Sequence, residues 1–292
     1  MGVELSAEQI RSLLQGIAIP PQPQIMVDLQ MEQLMPDCDI SRITALIRRD
    51  VGLSGSILKT VNSAFFGLKN KITSVRQACQ LLGVSSVINI INALSIRGEL
   101  SDEDIIGLGH FWDNATDVAM VSATIAKQIG AQSPDEAYTL GLFHNCGIPL
   151  LMRRFRDYEP VMREAYALQQ PRLIDSENLA FHTNHAVVGY FVAKSWNLPD
   201  YLCEAIHDHH SVSPIFADQD YPHSRKKNLL AVLKMAEHIC GNYRTLGGQT
   251  EDYEWRRLQD DLLMYVGLSD YDFQQMEETL IEGLDGGDYI SV

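Results

Sequence analysis

The sequence predicts an all-α protein, a multi-helix bundle, on three observations. Apolar residues recur at helical spacing along the whole chain, capping residues and prolines punctuate those stretches, and no segment of strand length keeps a two-residue alternation. The first helix opens at Ser6-Ala7-Glu8-Gln9, a capping-box pattern, with Ile10, Leu13, Leu14 and Ile17 following on one face. Pro20, Pro21 and Pro23 make an extended entry to a second helix, from about Gln24 to Met35. Asp39 caps a third, whose stripe is Ile40, Ile43, Leu46 and Ile47. A fourth runs from about Leu53 to Asn62, and a fifth starts at Ser74, with Gly83 placed to end it. A long helix from about Phe111 to Ile129 stops at Gly130, and Ser133-Pro134 opens one that ends near His144. Thr183 caps a helix to about Trp196, and Pro199 opens the next, which ends near His210. Residues 211 to 224 read as a loop. Helices from about Arg225 to Tyr243, Asp252 to Val266 and Ser269 to Gly283 close the chain.

Composition bounds the function. The chain has 292 residues, 46% of them hydrophobic, and a formal net charge of −15 from 38 acidic and 23 basic side chains. That balance repels a phosphate backbone, and the basic clusters are short and lack aromatic interleaving, so no nucleic-acid partner is expected. Five scattered cysteines without a C-x-x-C pair read as free thiols in a reducing compartment. No secretory signal and no apolar run of membrane-spanning length is visible, so the expectation is a cytoplasmic protein without a membrane partner. Walker, dinucleotide and nucleophile-elbow motifs are absent.

Two ordered strings carry more specific information. The first is Ile19-Pro20-Pro21-Gln22-Pro23, Ile47-Arg48-Arg49-Asp50, Asn62-Ser63-Ala64-Phe65-Phe66-Gly67 and Ala78 with Leu81-Leu82-Gly83. The second is Phe111-Trp112, Leu142-Phe143-His144-Asn145-Cys146-Gly147, His185-Ala186-Val187-Val188-Gly189, Leu198-Pro199 and His209-His210. On these residues the chain resembles the HDOD family, the output-domain relatives of HD and HD-GYP metal phosphohydrolases. Val51 departs from it, standing where a proline usually follows the aspartate. The resemblance covers about residues 14 to 215. It implies an N-terminal helical lobe, roughly 1 to 104, packed on an HD-like core from about 105, which residues 216 to 292 complete.

The resemblance also places a degenerate metal site. Asn114 falls where HD enzymes have their lone histidine, His144 keeps the first member of the His-Asp doublet, and Asn145 replaces the second. His185, His209 and His210 match the additional histidines of two-metal relatives, and Glu237 falls where a late aspartate is expected. A neutral amide at 145 offers one carbonyl oxygen and no charge, a poor bridge between two dications. No catalytic residue and no cofactor is therefore expected; the alternative is one divalent transition metal, Zn²⁺, Ni²⁺ or Fe²⁺, in the remaining nitrogen-rich pocket. His182 and His207 lie three positions before His185 and His210, on what read as shared helix faces. The functional expectation is a bacterial-type signal-transduction output module that binds regulatory proteins in trans. Asn62, Phe65 and Phe66, near a groove between the lobes, are the candidate docking surface. The rival is a metal-dependent phosphohydrolase acting on a nucleotide or cyclic dinucleotide, and a third reading is a small-ligand sensor.

Overall fold

A computed structural model describes residues 6–35, 39–49, 51–62, 71–98, 109–130, 133–168, 172–218 and 224–285. These residues form helices and connecting turns, with no strand among them, and none of the helices is long and apolar enough to cross a membrane.

The chain divides into two compact units, one of residues 22–100 with 274–292, the other of 1–21 with 101–273. In the smaller unit α2 (Gln24–Gln33), α3 (Ile40–Ile47), α4 (Val51–Val61) and α5 (Val75–Gly98) bury Met26, Leu29, Ile43, Ile47, Ile57, Val61 and Ile91. Asp39 caps α3 as expected, its carboxylate accepting from the Ser41 N–H at 3.0 Å. Gly83 does interrupt α5, at φ 78° and ψ 164°, but the chain resumes helix beyond it to Gly98.

The larger unit opens with α1 (Ala7–Leu14), whose Ser6–Gln9 capping box is formed. The chain after α1 is held within this unit by two bonds: the Arg154 Nε–H donates to Gln15 O and the Trp196 Nε1–H to Pro20 O. These bonds tie the segment after α1 to the later part of the chain, whereas the sequence suggests one boundary near 104. Then follow α6 (Gly109–Ile129), α7 (Pro134–Phe143), α8 (Ile148–Arg154), α9 (Tyr158–Ala167), α10 (Leu173–Phe181), α11 (His185–Ser195) and α12 (Asp200–Asp208). After these come α13 (Ser213–Ala217), α14 (Ser224–Ile239), α15 (Asn242–Thr245), α16 (Tyr253–Val266) and α17 (Asp270–Asp285), the last crossing the division after Phe273.

Two features set up the site. First, α14 is the central rod, with Leu229, Leu230, Ala231, Val232, Met235 and Ala236 fully buried. Second, α6 and α7 approach closely because position 141 is glycine: a Cβ there would stand 2.8 Å from the Ala119 Cα.

Three expectations need correction. Asn184, not Thr183, caps α11: its backbone is extended and its Oδ1 accepts from the Val187 N–H at 2.9 Å. Both residue types cap well, but Asn184 directly precedes the helix, while the Thr183 hydroxyl is buried with no hydrogen-bond partner among the described residues. Residues 213–217 form a helix within the expected loop, started by Pro214 in its first turn. The expected helix to Tyr243 is two, α14 and α15, separated at Gly241, which takes φ 68°.

Candidate functional site

The larger unit gathers its buried polar residues where helix ends converge. His144 terminates α7, His185 is the first residue of α11, and His209-His210 form the turn that ends α12. Glu177 comes from α10, Lys234 and Glu237 from α14, Asn242 from α15 and Glu254 from the first turn of α16. All four histidines are at most 3% exposed.

Each imidazole has its Nδ1 engaged on the outside. His144 Nδ1 faces Gly141 O at 2.6 Å and His209 Nδ1 faces Ile206 O at 2.6 Å. His185 Nδ1 faces Glu177 Oε2 at 2.7 Å and His210 Nδ1 faces Glu254 Oε1 at 2.9 Å. Carbonyl and carboxylate oxygens only accept, so every ring carries its proton on Nδ1 and presents Nε2 inward. The Nε2 atoms of His185 and His209 stand 3.2 Å apart, and donor atoms of His185, His209 and His210 all lie within 4.8 Å of one another. The Nε2 of His210 is buried and has no hydrogen-bond partner among the described residues. Burial, the neighbouring imidazoles and Lys234 hold His209 and His210 well below the ordinary imidazole range, so both rings are neutral. Three buried imidazoles with outward-bonded Nδ1 atoms form a donor set suited to one borderline divalent ion such as Zn²⁺, Ni²⁺ or Fe²⁺.

Beside this trio stands a different arrangement. His144 Nε2 lies 3.3 Å from Glu237 Oε1, and the Asn242 amide donates to that same oxygen at 3.3 Å. The Lys234 ammonium, 3% exposed, pairs with Glu237 Oε2 at 2.7 Å and with Glu254 Oε2 at 3.1 Å. Burial alone raises a carboxyl pKa, but Lys234 and His144 together outweigh it and keep Glu237 well below the carboxylate range. The lysine is buried as a charge because two carboxylates face it.

Of the residues expected at the site, His144, His185, His209, His210 and Glu237 are thus brought together. Asn145 is buried beside His144 in the chain, and its Oδ1 has no hydrogen-bond partner among the described residues. Asn114 turns elsewhere: its amide donates to Cys240 O at 3.3 Å. His182 does not share a helix face with His185, because α10 ends at Phe181 and His182 adopts φ 58°, exposed. His207 is exposed and pairs with Asp208. Phe65 and Phe66 lie outside the described residues. Asn62 closes the end of α4, its amide donating to Leu58 O and Ile72 O and its oxygen accepting from the Ile72 N–H.

Sequence reasoning missed Glu177, Lys234 and Glu254. A signal existed for the first: Leu173, Glu177 and Phe181 repeat every fourth residue, which places a carboxylate on the apolar face of α10. Cys146, next to the histidines, is buried, and burial pushes its thiol far above the ordinary range. Mass mapping after iodoacetamide treatment of native protein is expected to leave Cys146 unalkylated; rapid modification would contradict this packing.

Comparison with known proteins agrees with this architecture. An uncharacterized protein of Treponema pallidum (strain Nichols) is 27% identical over 197 residues, 66% of this chain and 38% of the relative, so the chain spans well under half of that protein's length. The crystal structure of an HDOD domain protein from Geobacter sulfurreducens aligns with a TM-score of 0.67 at 21% identity, covering 94% of this chain and 93% of the other. One from Shewanella amazonensis SB2B, named as a candidate phosphohydrolase, aligns with a TM-score of 0.66 at 21% identity, covering 93% of each chain. At such identities these structures speak for the fold. The family model of the HDOD domain matches residues 19–212, which includes the proline-led entry, the histidine trio and the His144-Asn145 doublet. A match over that span, with an all-helical fold beneath it, places the chain in the HDOD family.

Proposed function

We propose that this chain acts as a non-catalytic output module of signal transduction, binding other proteins in trans. The observation that carries the reading is Lys234. A two-metal phosphohydrolase needs a carboxylate bridging two cations around the water they activate. Position 145 supplies a neutral amide, and the carboxylates of Glu237 and Glu254 are already joined by the Lys234 ammonium. The charge that would hold a second ion is neutralised from within α14.

A hydrolysis screen tests it. Full-length protein is incubated with bis(p-nitrophenyl) phosphate, nucleotides and cyclic dinucleotides, each with Mg²⁺, Mn²⁺ or Zn²⁺. The expected result is background turnover, the same for the wild type and His144→Ala. Turnover that His144→Ala abolishes would establish the phosphohydrolase instead. The binding half is checked by cross-linked capture from the native cell: partners held by the wild type are expected to be lost from a folded Phe65→Ala, Phe66→Ala variant.

A further inference from the structure

We propose that α1 exchanges between two copies of this chain, each copy seating its Ala7–Leu14 helix on the partner's larger unit, with Gln15-Gly16 as the hinge. Exchange of α1 is independent of the output-module reading: neither Phe65 and Phe66 nor the buried histidines take part.

The helix is self-contained and loosely seated. Its capping box closes its own start, so that end needs no tertiary partner. It lies against α11, yet its apolar residues Ile10, Leu13 and Leu14 are only half-buried, and Glu8, Gln9, Arg11 and Ser12 are exposed. Firm attachment starts beyond the hinge. Ile17 is 7% exposed, and the Trp196 Nε1–H donates to Pro20 O at 3.0 Å. The helix can therefore leave its seat while the segment after it stays in place.

The hinge is strained in the closed chain. A helix end calls for one left-handed residue, and Gly16, at φ 79°, takes that conformation freely. Gln15 takes it as well, at φ 49° and ψ 34°. Local bonds hold it there: its N–H and its side-chain amide both donate to Ser12 O, and the Arg154 Nε–H donates to Gln15 O. An L side chain in this region costs roughly fivefold in population. In an exchanged pair the hinge runs extended, and both copies lose that cost.

The seat selects its occupant. A surface that receives α1 from its own chain makes the same contacts with an identical helix from a second copy. What separates the two is concentration, since a short hinge presents α1 to its own seat at roughly millimolar effective concentration. Relief at two hinges, roughly 25-fold together, brings the exchange constant to the order of tens of micromolar.

The test is light scattering after gel filtration of the full chain, loaded at about 5 to 500 µM to span that constant. The expected result is a monomer at the low end and a dimer that grows with concentration, a readout needing no variant. Gln15→Gly adopts the left-handed turn freely and is expected to weaken the dimer roughly 25-fold. Gly16→Val penalises the turn and is expected to strengthen the dimer roughly tenfold or more. A Cβ at Gly16 meets Arg154 Nε at an ordinary 3.9 Å, so conformation and not crowding is what that variant changes. Leu13→Asp, with folding checked by circular dichroism, is expected to abolish the dimer. A wild type and a Gly16→Val that both stay monomeric at the highest concentration would overturn the proposal. So would a dimer that survives Leu13→Asp, or one that Gln15→Gly leaves unchanged, because association without exchange does not depend on the hinge.

Discussion

Glu177→Ala is expected to destabilise the protein by about 3–5 kcal/mol. The carboxylate is fully buried, with three donors aimed at it: the Tyr158 hydroxyl at 2.5 Å, the His185 Nδ1–H at 2.7 Å and the His185 backbone N–H at 3.3 Å. Truncation removes the acceptor that each of these side-chain donors has among the described residues, and all of them are buried away from bulk water. Glu177→Gln separates charge from hydrogen bonding. Its amide oxygen still accepts from His185, and its NH₂ can donate to the Tyr158 oxygen, so a cost nearer 1–2 kcal/mol is expected. Urea denaturation of the three proteins, with Tyr158→Phe to close a double-mutant cycle, measures both terms. A loss under 1 kcal/mol for Glu177→Ala would mean that His185 is oriented by something else.

What the sequence revealed follows from which forces are local. Helix class and most boundaries were legible because caps, prolines and apolar spacing act within a turn or two of the residue that carries them. Ser6, Asp39, Gly130 and Pro134 each begin or end a helix where expected. Thr183 and Asn184 show the resolution of that reading, since two adjacent good caps differ only in which one the backbone leaves extended. The histidines were legible through family spacing, not local physics. Lys234 and Glu254 were not, because one charged residue on a helix looks alike whether it faces solvent or a buried partner, whereas Glu177 left a trace in its spacing with Leu173 and Phe181. Lys234 becomes informative only when Glu237 and Glu254, three and 20 positions away, are found on either side of its ammonium. Asn145 is the converse case. Its chemistry was readable as a lost charge, but what neutralises the remaining carboxylates lies on another helix.

Gly147→Ala is the second large effect, and it isolates shape from every other cause. Gly147 has φ −75° and ψ −25°, ordinary helical values that alanine adopts without strain, so backbone conformation does not require glycine. Close approach does. A Cβ at 147 would lie 2.2 Å from His185 O and 2.9 Å from the Gly189 N, both backbone atoms of α11 that cannot rotate away. The start of α11 must therefore move, at a cost of about 3 kcal/mol by the usual scale of overpacking. Gly55, exposed in α4 with nothing within 4 Å of its added Cβ, supplies the opposite sign. Gly55→Ala should gain about 0.5–1 kcal/mol by removing the glycine penalty inside a helix. Thermal or urea unfolding of the pair checks the sign reversal; equal effects would mean that neither position is packed as described.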